Sequence, residues 1–400
     1  MTGTDTEVVV EHVVIGGVDS HADTVHVAVV TDRGGQLADA EFPTTAAGYR
    51  AALAFLASHG TVSAIGVEGT SSYGAGFTRA AREVDLTVVE VNRPDKAERR
   101  RIGKSDPIDA YAAARAVVSG RASSVPKGDA VAGIRALHNA ARSAVKARTA
   151  ALNQIGHILI SAPESIRAKY EALRGDRRID ALVRLRIGGD PILTALRSLA
   201  QRVKNLTTEH AALTAELDVL VTRFNPGLRA AFGVGPDTAA QLLITGGDNP
   251  ARLRTEASFA ALCGAAPVPA SSGKTNRHRL SRGGDRAANG ALYRIALCRM
   301  RRDQRTRDYV ARQVDAGRTK KEIIRLLKRA IAREIFRLLT TMGEVPEIAD
   351  LRAARQAKNI TLTAAANHLR VWPAVISNIE RGLRRDDAFA DTYRSWLAAT

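Results

Sequence analysis

The chain has 400 residues, more than a single domain of about 100–200 residues requires, and 45% of them are hydrophobic, enough for packed cores rather than wholesale disorder. No apolar run approaches the ~18 residues of a membrane span. The two cysteines, Cys263 and Cys298, have no metal-ligand spacing, which excludes a disulfide or zinc framework. The net charge of +18 is unevenly spread: residues 1–92 hold 4 basic and 12 acidic residues, while residues 93–400 hold 55 and 29. The acidic start and the net +26 remainder, in a chain that has 48 Arg to 11 Lys overall, point to a polyanionic partner for the later regions.

Along the chain, VVIGGVDS (13–20) reads as an apolar strand ending in an acid, and TVHVAVVT (24–31) alternates with period two. A turn at Asp32-Arg33-Gly34-Gly35 leads to a third strand, 36–42. A helix over 45–58, a strand over 61–68, a helix over 74–84 and a strand over 86–91 follow. The order βββ-α-β-α-β is that of the RNase H fold, and it would put the first and fourth strands side by side. The start MTGTDTEVVV has no basic segment before an apolar one, so no signal peptide is expected.

Residues 93–104 carry six basic residues, among them Arg93, Arg99, Arg100, Arg101 and Lys104. A helix then begins at Ser105-Asp106-Pro107, with proline in its first turn. From 129 to 224 two long basic helical stretches, broken by Pro163 and Gly188-Gly189-Asp190-Pro191, predict an antiparallel hairpin, a coiled coil or a bundle. Gly233-Val234-Gly235-Pro236 before a helix resembles a helix-hairpin-helix turn, whose glycines let backbone N–H groups approach a phosphate; a plain turn explains it equally well. The stretch 267–286 is turn-rich and basic, with Ser271, Ser272, Lys274, Arg277, His278, Arg279, Arg282 and Arg286. A serine there needs activation before it attacks a phosphate, and sequence chemistry alone does not select it.

Asp19 and Glu68 end the first and fourth strands, and Asp106 and Asp109 share one face of the following helix. Four converging carboxylates repel one another unless a cation joins them. Hard oxygen donors suit Mg²⁺, with Mn²⁺ as an alternative, and two such ions would serve phosphodiester chemistry. The tail, 361–382, resembles the paired helices of a Cro/repressor-type helix-turn-helix, yet residues 341–400 hold only 8 basic against 7 acidic residues.

Taken together, VDSHADTVHVAVV, VEGTSSYGAGFTRA, VNRPDKAERRRIGKSDPIDAYAAARA, GVGPDTAAQLLITGGDNPARLRTEASFAALCGAAPVPASSGK and RLSRGGDRAANGALYRIALCRM resemble the DEDD-type transposases of the IS one-ten (IS110) family of bacterial insertion sequences, over roughly residues 13–340. The resemblance implies a RuvC-like domain over 10–125, with Asp19, Glu68, Asp106 and Asp109 as the metal-binding set. It implies a helical coiled-coil dimerisation region over 129–224 and a second transposase domain over 225–340. In that second domain the serine before glycine, Ser272, is the nucleophile, or Ser271 if the register is off by one. Gly233, Gly235, Lys274, Arg277, Arg279, Arg282 and the basic run at 93–104 are expected to hold nucleic acid. By the same resemblance the partners are element and target DNA, a noncoding bridge RNA and further copies of the chain, a dimer assembling to a tetramer, in the bacterial cytoplasm at the nucleoid. The helix-turn-helix tail, 348–400, is a departure from the family pattern. A Holliday-junction-type nuclease using the four acids without the serine, and a non-catalytic DNA-binding regulator built on the tail, are the competing expectations.

Overall fold

A computed structural model describes residues 12–91, 105–248, 252–271, 278–279, 281, 283–341, 348, 350–381 and 386–400. The chain divides into two units, Met1–Gly128 and Asp129–Thr400.

In the first unit, strands β1 (Val13–Ser20), β2 (Thr24–Thr31) and β3 (Gln36–Pro43) form an antiparallel meander. Helix α1 (Ala46–Ala57) returns the chain to β4 (Thr61–Glu68), parallel to β1, and α2 (Ala75–Glu83) returns it to β5 (Val88–Val91), parallel to β4. The sheet order is β3-β2-β1-β4-β5, so the first and fourth strands are neighbours as the element order predicts. Both sheet faces are covered. Val14, Val18, Val27, Ile65 and Val67 pack with Leu56 and Phe77 on one side. On the other, Ile15, Ala28 and Val30 meet Ala110, Tyr111 and Ala114 of α3 (Asp106–Val118). Alanines of the helix, Ala110 and Ala114, let this second interface close tightly: a Cβ at Gly17 would stand 2.1 Å from the Ala110 carbonyl oxygen. The helix therefore lies directly on β1, an approach that only glycine at 17 permits.

In the second unit, α4 (Asp129–Ser161) and α7 (Pro191–Phe224) pair along their lengths. Ile134 clusters with Leu217 and Val221, whereas Ile155 and Leu159 cluster with Leu196 and Ala200. The start of one helix thus meets the end of the other, an antiparallel hairpin within one chain. Buried positions 131, 134, 138, 141 and 144 keep the three-and-four spacing of one helical face. Helices α5 (Glu164–Glu171) and α6 (Gly175–Val183) cap its far end through Ile166, Tyr170 and Leu182. Asp190 starts α7 by accepting from the N–H groups of Ile192 and Leu193 at 2.7 and 3.1 Å.

After α8 (Pro226–Ala230), helices α9 (Pro236–Gly246), α10 (Glu256–Leu262), α11 (Arg286–Arg302), α12 (Gln304–Asp315) and α13 (Lys320–Thr340) form a helical body. Its core holds Leu242, Phe259, Leu292, Ile295, Ile331 and Ile335. A two-residue ribbon, β6 (Val268–Pro269) with β7 (His278–Arg279), interrupts it. The tail is four helices, α14 (Asp350–Ala357), α15 (Leu362–His368), α16 (Pro373–Glu380) and α17 (Asp387–Ala399), with a core around Leu351, Ile376, Ile379 and Tyr393. Among the described residues, no helix is long and apolar enough to cross a membrane.

Candidate functional site

The sheet of the first unit positions the acids. Asp19 is the next-to-last residue of β1 and is buried at 7% exposure. Val18 pairs with Val67 in parallel register, which sets Glu68 at the same end of the sheet. Gly69 turns the chain there with φ 71°, a left-handed conformation suited to glycine, and Ser20 ties the turn by donating its hydroxyl to the Glu68 carbonyl at 2.8 Å. The start of α3 arrives at this end because the helix is seated on Gly17. Asp106 opens it, and Asp109 lies one turn further on, 4% exposed.

One residue outside the four expected acids joins them. The Nε2 atom of His21 stands 3.2 Å from Asp19 Oδ2 and 3.2 Å from Asp106 Oδ1. Donor atoms of Asp19, His21 and Asp106 all fall within 4.8 Å of one another. Glu68 and Asp109 sit at the same sheet end and on the same helix, but their carboxylates do not enter that convergent set. The donors are two carboxylates and one imidazole, a combination that suits a divalent ion.

The family comparisons bear on this geometry. A transposase model of the DEDD, IS110 type matches residues 16–162, which contain all four acids and His21. A model described as "Transposase IS116/IS110/IS902 family" matches residues 226–311. The chain belongs to the IS110 family of transposases. The "Insertion element IS110 uncharacterized 43.6 kDa protein" of Streptomyces coelicolor is 32% identical over 145 residues, 36% of each chain. The chain thus matches just over a third of the length of that curated relative.

Within the second IS110-type match, the Gly233 turn has φ 81° and is held by two arginines. Arg299 donates to the Phe232 carbonyl at 2.8 Å and Arg229 to the Val234 carbonyl at 3.1 Å. The Gly235 N–H donates to Thr238 Oγ1 at 3.0 Å. In the first turn of α9, Asp237 joins buried His138 at 2.9 Å and Arg294 at 2.6 Å. The hydrogen bond from His138 holds the Asp237 carboxyl below its ordinary value.

Ser271 is exposed just after the ribbon strand β6. Ser272, Lys274, Arg277 and Arg282, and the run Arg93, Arg99, Arg100, Arg101 and Lys104, lie outside the described residues. Arg279, on β7, lines a cavity of about 750 Å³ together with Arg318, Arg325, Lys328 and Arg329. Lys328 is 6% exposed, donates to Asn289 Oδ1 at 2.9 Å, and is pushed below the usual lysine range by burial and then by Arg325. The sequence reading missed these α13 cations. A four-residue repeat, Lys321, Arg325, Arg329 and Arg333, lays basic residues along one helix face and signals two of them, Arg325 and Arg329; Lys328 lies off that repeat.

Proposed function

We propose that the protein is a transposase that cuts and rejoins DNA strands at the ends of its own element and at a target. The observation that carries this reading is the convergence of Asp19 and Asp106 at one end of the sheet, in a chain matching DEDD transposases over the same residues. Asp19, Glu68, Asp106 and Asp109 hold Mg²⁺, or Mn²⁺ in its place. When bound, the ion neutralises phosphate charge and stabilises the oxygen that leaves. The carboxylates would fix its position, with Asp19 and Asp109 themselves buried.

The nucleophile in this proposal is Ser272, with Ser271 as the alternative. Its oxygen attacks a DNA phosphorus, a serine–phosphate ester forms, and the bond to one deoxyribose oxygen breaks. That oxygen takes up the proton released by the serine. Attack by a hydroxyl of the incoming strand then reverses the exchange, remaking a DNA phosphodiester and freeing serine. One ester replaces another at each step, so the strands rejoin without an external energy source. A water-attacking nuclease would lose the bond. Lys274, Arg277, Arg279 and Arg282 hold phosphates beside the serine, and the basic run at 93–104 holds the second nucleic acid. That second partner is a structured noncoding RNA pairing with donor and target DNA, and the long-helix hairpin joins copies of the chain into dimers and tetramers at the nucleoid.

The test uses end-labelled element DNA, Mg²⁺ and purified protein resolved under denaturing conditions. Label travelling with wild-type protein, and lost in Ser272→Ala and Asp19→Asn, is the expected result. Transfer of label to Ser272→Ala but not to Ser271→Ala moves the nucleophile one residue back. Undiminished cleavage by the double serine variant overturns the recombinase reading in favour of a structure-specific nuclease. Loss of all DNA binding on deletion of 348–400 favours a regulator built on the tail.

A further inference from the structure

We infer that His21 is a metal ligand of the acidic centre, its Nε2 atom bound beside Asp19 and Asp106, and that it tilts the site toward Mn²⁺ over Mg²⁺. The inference rests on the reading of this site as a metal centre and goes beyond the four acids that the family pattern supplies.

Position comes first. His21 sits in the turn between β1 and β2, two residues past Asp19, and its backbone N–H donates to the Thr24 carbonyl at 2.9 Å. That bond holds the backbone of the residue in the turn, from which the ring reaches the two carboxylates. The residue is part-exposed, but its Nε2 atom is sheltered from solvent.

Direction comes next. Nε2 is equidistant, at 3.2 Å, from Asp19 Oδ2 and Asp106 Oδ1. Among the described residues it makes no hydrogen bond of acceptable geometry with either. A ring N–H serving a carboxylate lies in line with it at about 2.7–2.9 Å. His26, one strand further on, does so with Asp39 at 2.7 Å. The nitrogen of His21 therefore faces the gap between two oxygens rather than either one.

Spacing agrees. Two neighbouring ligands of an octahedral ion with bonds of about 2.0–2.1 Å stand roughly 2.9–3.0 Å apart. The observed 3.2 Å separations are close to that value and need only a small inward shift.

Chemistry then sets the preference. Imidazole nitrogen favours transition ions, whereas Mg²⁺ keeps oxygen and water ligands and loses little when a water replaces the ring. An all-oxygen site would show less of that bias.

The experiment uses the full chain and Mn²⁺ as the probe. Electron paramagnetic resonance titration gives the affinity, Mg²⁺ competition gives the selectivity, and pulsed measurements detect ¹⁴N coupling from a coordinated ring. Wild-type protein should bind Mn²⁺ with imidazole coupling. His21→Ala should remove the coupling and weaken Mn²⁺ about tenfold or more, while Mg²⁺ changes about threefold or less. His21→Gln, which keeps bulk in the turn, should behave as alanine does for the coupling. Bound Mn²⁺ without nitrogen coupling in wild-type protein overturns the inference and leaves the metal centre standing. So does equal or tighter Mn²⁺ binding by both variants, which would make the ring a counter-charge that competes with the ion. If wild-type protein binds no Mn²⁺ and Asp19→Asn changes nothing, the metal-centre reading fails and the His21 inference falls with it.

Discussion

The tail offers a prediction whose size follows from its geometry. Arg355 and Glu380 are 7% and 9% exposed and form a two-bond pair, Nε to Oε1 at 2.7 Å and Nη2 to Oε2 at 2.9 Å. Tyr393 adds a hydroxyl to Glu380 Oε1 at 2.8 Å, and Arg355 Nη1 donates to the Ile360 carbonyl at 2.7 Å. The pair thus ties α14, α16 and α17 through one buried point. Glu380→Ala strands the guanidinium and the phenol together. Breaking a buried pair in this way costs about 3–5 kcal/mol. A unit of roughly 50 residues holds about 2.5–7 kcal/mol in total. The loss therefore takes most or all of the tail's stability.

Both tryptophans of the chain, Trp372 and Trp396, lie in this tail, and Trp396 stacks against His368 and Tyr393 at centroid distances of 4.7 and 6.0 Å. Tryptophan fluorescence of the intact protein during a urea titration therefore reports on the tail alone. With a slope of about 1 kcal/mol per molar urea, Glu380→Ala should lower the midpoint by about 3 M or leave no folded baseline. The triple variant Arg355→Met, Glu380→Met, Tyr393→Phe removes the charges together and should recover most of the loss, because an apolar replacement of a buried pair is close to neutral. A midpoint shift in Glu380→Ala equivalent to less than about 1 kcal/mol, the range of an exposed pair, would refute the reasoning.

Gly17→Ala should destabilise the first unit by about 1–3 kcal/mol through overpacking, since the new Cβ would meet the Ala110 oxygen at 2.1 Å and the Ala114 nitrogen at 2.5 Å. Because α3 must lift, Mn²⁺ affinity should fall too; unchanged melting and affinity would contradict the close approach. Cys263 is fully buried and its thiol is pushed up to about 12 by burial and then by Asp285, whereas Cys298 is part-exposed. Ellman's reagent should therefore titrate one thiol in the native protein and two in denaturant. Tyr111 is pushed up to about 12 by burial and then by its hydrogen bond to Asp39. A raised folded value means that its contribution to stability is complete below about pH 10, the ordinary tyrosine value, and is lost as pH rises towards 12. Absorbance at 295 nm should lose that late step in Tyr111→Phe.

The first unit was largely legible in the sequence because its signals are local. Period-two apolar runs gave the strands, the Asp32–Gly35 turn gave the meander, and the acids stand at strand ends that parallel pairing brings level. His21 was not legible. In a polar turn it reads as a surface residue, and its meaning depends on Asp106, 85 positions away and brought near only by the seating of α3 on Gly17. The direction of the long-helix pairing was open for a similar reason: an apolar seam states that a helix is covered and not by what. The short helices α5 and α6 were hidden because eight or nine residues give too few turns for a clear period. Ser272, the nucleophile that the resemblance implies, lies outside the described residues.

The charge asymmetry gains a physical sense from these positions and yields a last prediction. In the cavity of the second unit, Lys328 and Arg318 donate to the neutral amide oxygens of Asn289 and Gln313, and Arg325 stands 3.9 Å from Glu322. The Glu322 carboxylate is engaged by the Thr319 N–H and hydroxyl at 2.9 and 2.7 Å in the cap of α13. Arg329 is paired with Glu256 at 2.6 Å and Glu322 shares the cavity lining, so five cations face fewer carboxylates; a phosphate adds negative charge there while releasing counterions from the nucleic acid. Each phosphate held contributes about −0.9 to the slope of log affinity against log salt for duplex DNA. Arg318→Gln and Arg325→Gln should each make that slope shallower by about one and weaken binding equally across sequences. They should leave Mn²⁺ binding in the first unit unchanged, because they act on phosphate and not on the metal. An unchanged slope in both variants would show that the cavity holds no backbone phosphate, and a slope near zero in the wild-type protein would remove the polyanion from the account altogether.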